Sequence, residues 1–185
     1  MSKRSIGFFS LFFLITAAAL VGCNGEDLTI DPGKIEAPDT NAPPVNLSAE
    51  IARAKADNKL LLLEFGSSDS CPPCIAFEQK VFSTPEFKAY AKSNLNFVRL
   101  DFPFRTSLRP DVTATNNLLA GQFDADVFPT FIALDKNGKE FWRTPIVDKL
   151  NETISSSPLL PTNSASLFVP TNFIAVLEKV KKLDK

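Results

Sequence analysis

Histidine is missing from all 185 residues. That absence excludes the Ser-His-Asp and Cys-His nucleophilic mechanisms, and every metal site that depends on imidazole. Tryptophan, tyrosine and methionine occur once each and cysteine three times. Aromatic surface must therefore come from the 17 phenylalanines, and thiol chemistry from a very small set. Charge of one sign is not in surplus either: 20 Lys and Arg stand against 21 Asp and Glu, for a net charge of −1, and no basic stripe runs along the chain. An electrostatic case for nucleic acid is lacking, and no nucleic-acid partner is expected. The remainder, 44% hydrophobic and 22% charged, suits a globular protein with room for one ordinary domain and a leader.

Lys3 and Arg4 form a short positive region ahead of an apolar run from Ile6 to Leu20. The run is too short for a comfortable membrane span and has the shape of an export signal. It ends in Leu20-Val21-Gly22-Cys23, which resembles the lipobox of bacterial lipoproteins. The resemblance implies a signal peptide over residues 1–22 and lipidation of the Cys23 sulfur. Several acyl chains, at ~0.8 kcal/mol per buried CH₂, would hold the chain stably on a membrane. Asn24 to Asn46 is polar, carries Pro32, Pro38, Pro43 and Pro44, and has few large apolar residues. Such a segment reads as a tether with a reach of at most about 75–80 Å. Residues 23–46 are thus expected to be lipidated cysteine and tether, with a folded domain over 47–185 in the periplasm. Asn24 rather than aspartate after the cysteine favours the outer over the inner membrane by the enterobacterial sorting rule.

In the folded part, Ser48 is expected to cap a helix through Ala56, with Ile51 and Ala54 facing inward. Leu60 to Phe65 is a continuous apolar run of strand length, as in a central strand buried on both faces. Period two puts Leu60, Leu62 and Glu64 on one face, which makes Glu64 a candidate buried carboxylate. A helix is expected from Cys71 to about Phe82, with Cys71 at the N-cap and Pro72 and Pro73 in the first turn, where a missing N–H costs little. Cys74, Phe77 and Val81 form its inward stripe. Thr84-Pro85 restarts a helix to about Lys92, Leu95 to Asp101 reads as a second strand, and a further helix is expected from about Val112 to Phe123. Pro129 opens an apolar strand, and Asn137-Gly138 signals a hairpin turn into Lys139 to Thr144. An irregular insertion is expected over about 145–170, where Ser155 to Ser166 is rich in Ser, Pro and Thr. An amphipathic helix carrying Phe173, Val176, Leu177 and Val180 closes the chain. The order describes one α/β domain with a mixed sheet covered by helices on both faces.

Read in that order, Cys71-Pro72-Pro73-Cys74 and Phe128-Pro129-Thr130 resemble the thioredoxin superfamily over roughly Leu47 to Leu183, and Lys59 to Ser67 resembles its bacterial secreted branch. The resemblance implies a thioredoxin-like fold in which Cys71 and Cys74 form a redox-active disulfide, Cys71 attacking and Cys74 resolving. It also implies that Pro129 is cis and that Phe128 offers backbone groups to an extended substrate segment, with Pro72 and Pro73 part of the same substrate-binding surface. For Cys71 elementary physics agrees. An N-cap sulfur lies at the positive end of a helix, where thiolate is favoured, and with two prolines following, the Cys74 N–H is the available donor. Glu64, if buried nearby, takes the proton from Cys74 as it attacks. Two departures stand out: Ser70 occupies the position where the family commonly has tryptophan, and Glu64 stands one residue further from the cysteines than the family's usual aspartate.

Zinc needs about four ligands, and with Cys23 acylated only two thiols remain, so no metal or cofactor is expected. A purely structural disulfide, or a non-catalytic thioredoxin-fold lipoprotein that binds a partner, stays open at this point. The expected function is a membrane-anchored, monomeric thiol–disulfide oxidoreductase of the bacterial cell envelope. It would reduce protein disulfides and draw electrons from a membrane donor, with a disulfide oxidase or isomerase as the alternative.

Overall fold

A computed structural model describes residues 39–144 and 164–184. The leader, Cys23 and most of the expected tether and insertion lie outside the described residues. The elements run α1 (Leu47–Asp57), β1 (Leu60–Gly66), α2 (Pro72–Phe77) continued by a π-helical turn (Glu78–Phe82), α3 (Pro85–Asn94), β2 (Leu95–Asp101), α4 (Pro110–Gln122), β3 (Thr130–Leu134), β4 (Glu140–Arg143), a 3₁₀ turn (Ser164–Phe168) and α5 (Pro170–Lys181). None of the described helices is long and apolar enough to cross a membrane.

The four strands form one mixed sheet in the order β2-β1-β3-β4. β1 pairs parallel with β2 and antiparallel with β3, which pairs antiparallel with β4. Every residue of β1 is buried, as its unbroken apolar run requires of a strand covered on both faces. Its alternation feeds two cores. Leu60 and Leu62 join Phe77, Phe131, Phe173 and Leu177 under α2 and α5. Leu61, Leu63 and Phe65 join Ala54, Leu119 and Phe123 under α1 and α4. Helices therefore cover both faces, as expected from the element order.

The helix termini show where local chemistry prevailed over the sequence reading. Asn46, not Ser48, caps α1: its Oδ1 accepts from the Ala49 N–H at 3.1 Å, which leaves Ser48 within the first turn. Asn58 closes α1 in the left-handed conformation at φ 52°. Val45 and Leu47 already pack on the α1/α4 core, so ordered contacts begin ahead of the first helix. Thr84 caps α3 as expected, its Oγ1 accepting from the Phe87 N–H at 3.2 Å.

The helix expected from Cys71 to Phe82 is α-helical only to Phe77 and then widens, with the Ser83 N–H bonded to the Glu78 carbonyl at 2.9 Å. An i→i+5 turn brings residues five apart towards one face. Here it lets Phe77 and Phe82 both reach the core and stack at 5.6 Å. At the Asn137-Gly138 turn, Gly138 has φ +81°, and a Cβ there would meet Ile51 Cδ1 at 2.5 Å; the turn thus packs against α1 as well as reversing the chain. The last part of the expected insertion is ordered: Ser164–Phe168 forms the 3₁₀ turn, and Phe168 packs on Phe77 with ring centroids 4.6 Å apart. Its apolar side chains have a core to join, which the Ser-rich composition upstream concealed.

Candidate active site

β1 delivers the chain into the loop Ser67-Ser68-Asp69-Ser70, and α2 starts immediately afterwards. Cys71 is the N-cap, in extended conformation (φ −108°, ψ 101°), and its Sγ accepts from the Cys74 N–H at 3.3 Å. The donor that the two prolines leave available is the one used. Cys71 and Cys74 are joined as a disulfide, S–S 2.03 Å with Cα atoms 5.2 Å apart. Both cysteines are buried while Pro72 and Pro73 are exposed, so the loop shows solvent its prolines and only an edge of sulfur.

Glu64 lies behind the pair, 2% exposed. Its Oε1 is 3.3 Å, and Cys74 Sγ 3.4 Å, from the point where a Cβ on Gly66 would sit. Gly66 therefore leaves open the space between carboxylate and thiol, which are within about 7 Å of each other. The Glu64 Oε2 accepts from Arg99 Nε at 2.5 Å, and Arg99 Nη1 reaches Glu78 Oε2 at 2.6 Å. Burial pushes the Glu64 carboxyl above its usual range. The Arg99 charge and hydrogen bond oppose this shift without cancelling it, and Glu78 and Asp101 add to it. A cavity of about 290 Å³ opens onto the same place, lined by Cys74, Glu64, Gly66, Asp101, Asn116 and Pro43. Asn116 Nδ2 donates to the Asp101 carbonyl at 2.9 Å. Its Oδ1 is buried without a partner among the described residues.

Asp69 is what fixes the loop. Its carboxylate accepts from the backbone N–H groups of Phe104 (2.7 Å), Arg105 (2.8 Å) and Thr106 (3.1 Å), and from the Ser67 hydroxyl at 3.4 Å. Burial would raise the carboxyl's pKa, but these donors outweigh it and hold the group below the ordinary aspartate range. Asp101 adds a second tie, accepting from the Ser68 N–H at 2.8 Å and the Ser68 hydroxyl at 2.7 Å. Ser70 and Ser67 share a hydroxyl hydrogen bond of 2.6 Å, so Ser70, where an indole was expected, belongs to the polar network of the loop.

The Phe128–Pro129 peptide is cis. Because Thr130 pairs with Phe65, Pro129 falls beside the end of β1 from which the cysteine loop springs. Phe128 is half-buried, its ring stacked on Phe102 at 4.9 Å. The structure thus gathers Cys71, Cys74, Glu64, Pro72, Pro73 and Pro129 at one end of the sheet. The sequence reading missed Asp69, Arg99, Asp101 and Asn116. Arg99 had one usable signal, the only cation of its strand, between the apolar Val98 and Leu100. The others are polar residues whose partners are remote in sequence.

A family model described as thioredoxin-like matches residues 42–136. Among curated proteins the chain is similar to the disulfide bond reductase DsbH of Chlamydia pneumoniae, 30% identical over 93 residues, which are 50% of this chain and 56% of that protein. The chain thus spans little more than half the length of that relative. Among solved structures it is similar to a DsbH oxidoreductase with a TM-score of 0.58 and 22% identity, covering 86% of this chain and 95% of the other. That likeness is one of fold.

Proposed function

The chain belongs to the thioredoxin-like family, and from that premise we propose that it is a thiol–disulfide oxidoreductase that reduces protein disulfides through Cys71 and Cys74. The observation that carries the reading is the Cys71 sulfur at the N-cap of α2, accepting the Cys74 N–H. There a thiolate gains both a hydrogen bond and the positive end of the helix. In the reduced protein, the Cys71 thiolate attacks one sulfur of a substrate disulfide, and the other sulfur leaves as a thiolate. Cys74 then attacks Cys71 Sγ, forming the intramolecular disulfide and expelling the second substrate sulfur. Two electrons pass to the substrate and must be restored by a donor, which we place at the membrane. The reductive direction is supported by the name of the Chlamydia relative, a disulfide bond reductase. The full chain with dithiothreitol should reduce insulin disulfides faster than dithiothreitol alone; equal rates would overturn the proposal.

Glu64 is the base we assign to the second step. Its raised pKa brings it closer to that of a thiol, and the cavity leaves room for water between the two groups. Glu64→Gln keeps the shape and leaves Arg99 paired with Glu78. It should slow resolution of a preformed Cys71 mixed disulfide at least about tenfold, read by single-turnover quench. A second readout follows from linkage. A carboxyl whose folded pKa lies above its unfolded value contributes stability that is fully present below the unfolded pKa and lost as pH rises through the folded one. The Glu64 contribution should fade as pH rises above the ordinary glutamate value of 4.5, and Glu64→Gln should lack that slope. An unchanged resolution rate would remove Glu64 from the mechanism.

We place the domain in the bacterial envelope, lipid-anchored through Cys23. The lipobox resemblance at Leu20-Val21-Gly22-Cys23 supports this. Cys23→Ala should move the protein from the membrane pellet to the soluble fraction. An unchanged pellet would exclude the anchor.

A further inference from the structure

We propose that Phe104 is a substrate-docking residue, an apolar contact for a side chain flanking the disulfide of a protein substrate. The inference rests on the oxidoreductase reading and extends it to the partner. Phe104 is 86% exposed, the most exposed large hydrophobic side chain among the described residues. Most other described phenylalanines are buried or half-buried, so a ring left in water is unusual in this domain.

Its backbone is not free to turn the ring inward. Three successive N–H groups, of Phe104, Arg105 and Thr106, are held by the carboxylate of Asp69, which stands two residues before Cys71. On the other side, Phe102 stacks on Phe128, the residue preceding cis-Pro129. The loop carrying Phe104 is thus tied to both walls of the disulfide site. A side chain presented this way loses little further freedom when a partner covers it. The other exposed large hydrophobic side chains among the described residues, Leu118 and Leu183, lie on α4 and beyond the end of α5 and have no such ties. Directly before Cys71, Ser70 offers a hydroxyl already bonded to Ser67, so beside the exposed Pro72 and Pro73 Phe104 is the aromatic surface of this rim. The partner that fits is a protein segment with an aromatic or aliphatic side chain close to its disulfide cysteine, rather than a small polar disulfide.

The test compares second-order rates of the reduced full chain with insulin and with glutathione disulfide. Phe104→Ala should slow the insulin reaction about tenfold, equivalent to ~1.4 kcal/mol, and leave the glutathione disulfide rate unchanged. Phe104→Trp should retain most of the insulin rate. An insulin rate for Phe104→Ala within about twofold of wild type overturns the proposal, as does an equal loss on both substrates. A wild type inert towards both disulfides instead removes the oxidoreductase reading, and this inference with it.

Discussion

Cys71→Ser is expected to abolish turnover, lowering insulin reduction by a factor on the order of 10³ or more. A serine hydroxyl at the N-cap would keep the hydrogen bond from the Cys74 N–H, so the fold should survive. It would not ionise near neutral pH and has no sulfur with which to form a mixed disulfide. Cys74→Ser separates the two roles. Cys71, the more exposed residue of the pair at 9% against 4%, should still attack, and the resolving step should fail. Substrate is then expected to accumulate covalently on Cys71, visible as a mass increase that dithiothreitol reverses. Full activity in Cys71→Ser would contradict the assignment. Accumulation on Cys74 in that variant would reverse the order of attack.

The second large effect concerns stability. Asp69→Ala leaves three backbone N–H groups without their acceptor, while the Ser67 hydroxyl keeps its bond to Ser70. Unsatisfied buried donors cost about 1–3 kcal/mol each. Because the loop lies at the rim, water takes over part of that loss, and we expect a fall of about 3 kcal/mol in urea unfolding. Asp69→Asn retains one acceptor oxygen and should lose about half as much. The pH dependence has the opposite sign to that of Glu64. Asp69 is held below its ordinary range, so its contribution is present above the unfolded value near 3.8 and lost as pH falls through the lower folded value. Wild type should weaken in acid below about pH 4, and Asp69→Ala should show a smaller drop there. A variant as stable as wild type would mean that the clamp is not what holds the loop. The insulin rate of Asp69→Ala should also fall, since the same bonds present Phe104.

The features legible in the sequence were those encoded locally. β1 was readable because a strand buried on both faces needs an unbroken apolar run, and Leu60 to Phe65 supplies one. The cysteine loop and the cis-proline were readable because each is carried by a short motif at a strand end. The remaining site residues depend on distant pairing. Arg99 meets Glu64 because β1 and β2 pair in that register, which neither strand reveals alone. The backbone donors to Asp69 are 35, 36 and 37 residues away, so nothing beside Asp69 marks it as a clamp. The widened turn after α2 was hidden because Phe77 and Val81 fit an ordinary helix; only Phe82, which must also reach the core, requires the wider one. Ser70 stands where the resemblance has an indole and belongs instead to a hydroxyl network with Ser67, while Phe104 exposes an aromatic ring on another loop.

The central claim, that Cys71 and Cys74 cycle between dithiol and disulfide, is tested most directly by equilibrating the full chain in glutathione redox buffers and reading the pair by thiol alkylation and mass spectrometry. The expected result is a single two-electron transition within the range of about −270 to −120 mV spanned by redox-active pairs, absent in Cys71→Ser and in Cys74→Ser. A pair that stays oxidised in buffers poised below about −300 mV, as structural disulfides do, would contradict the account.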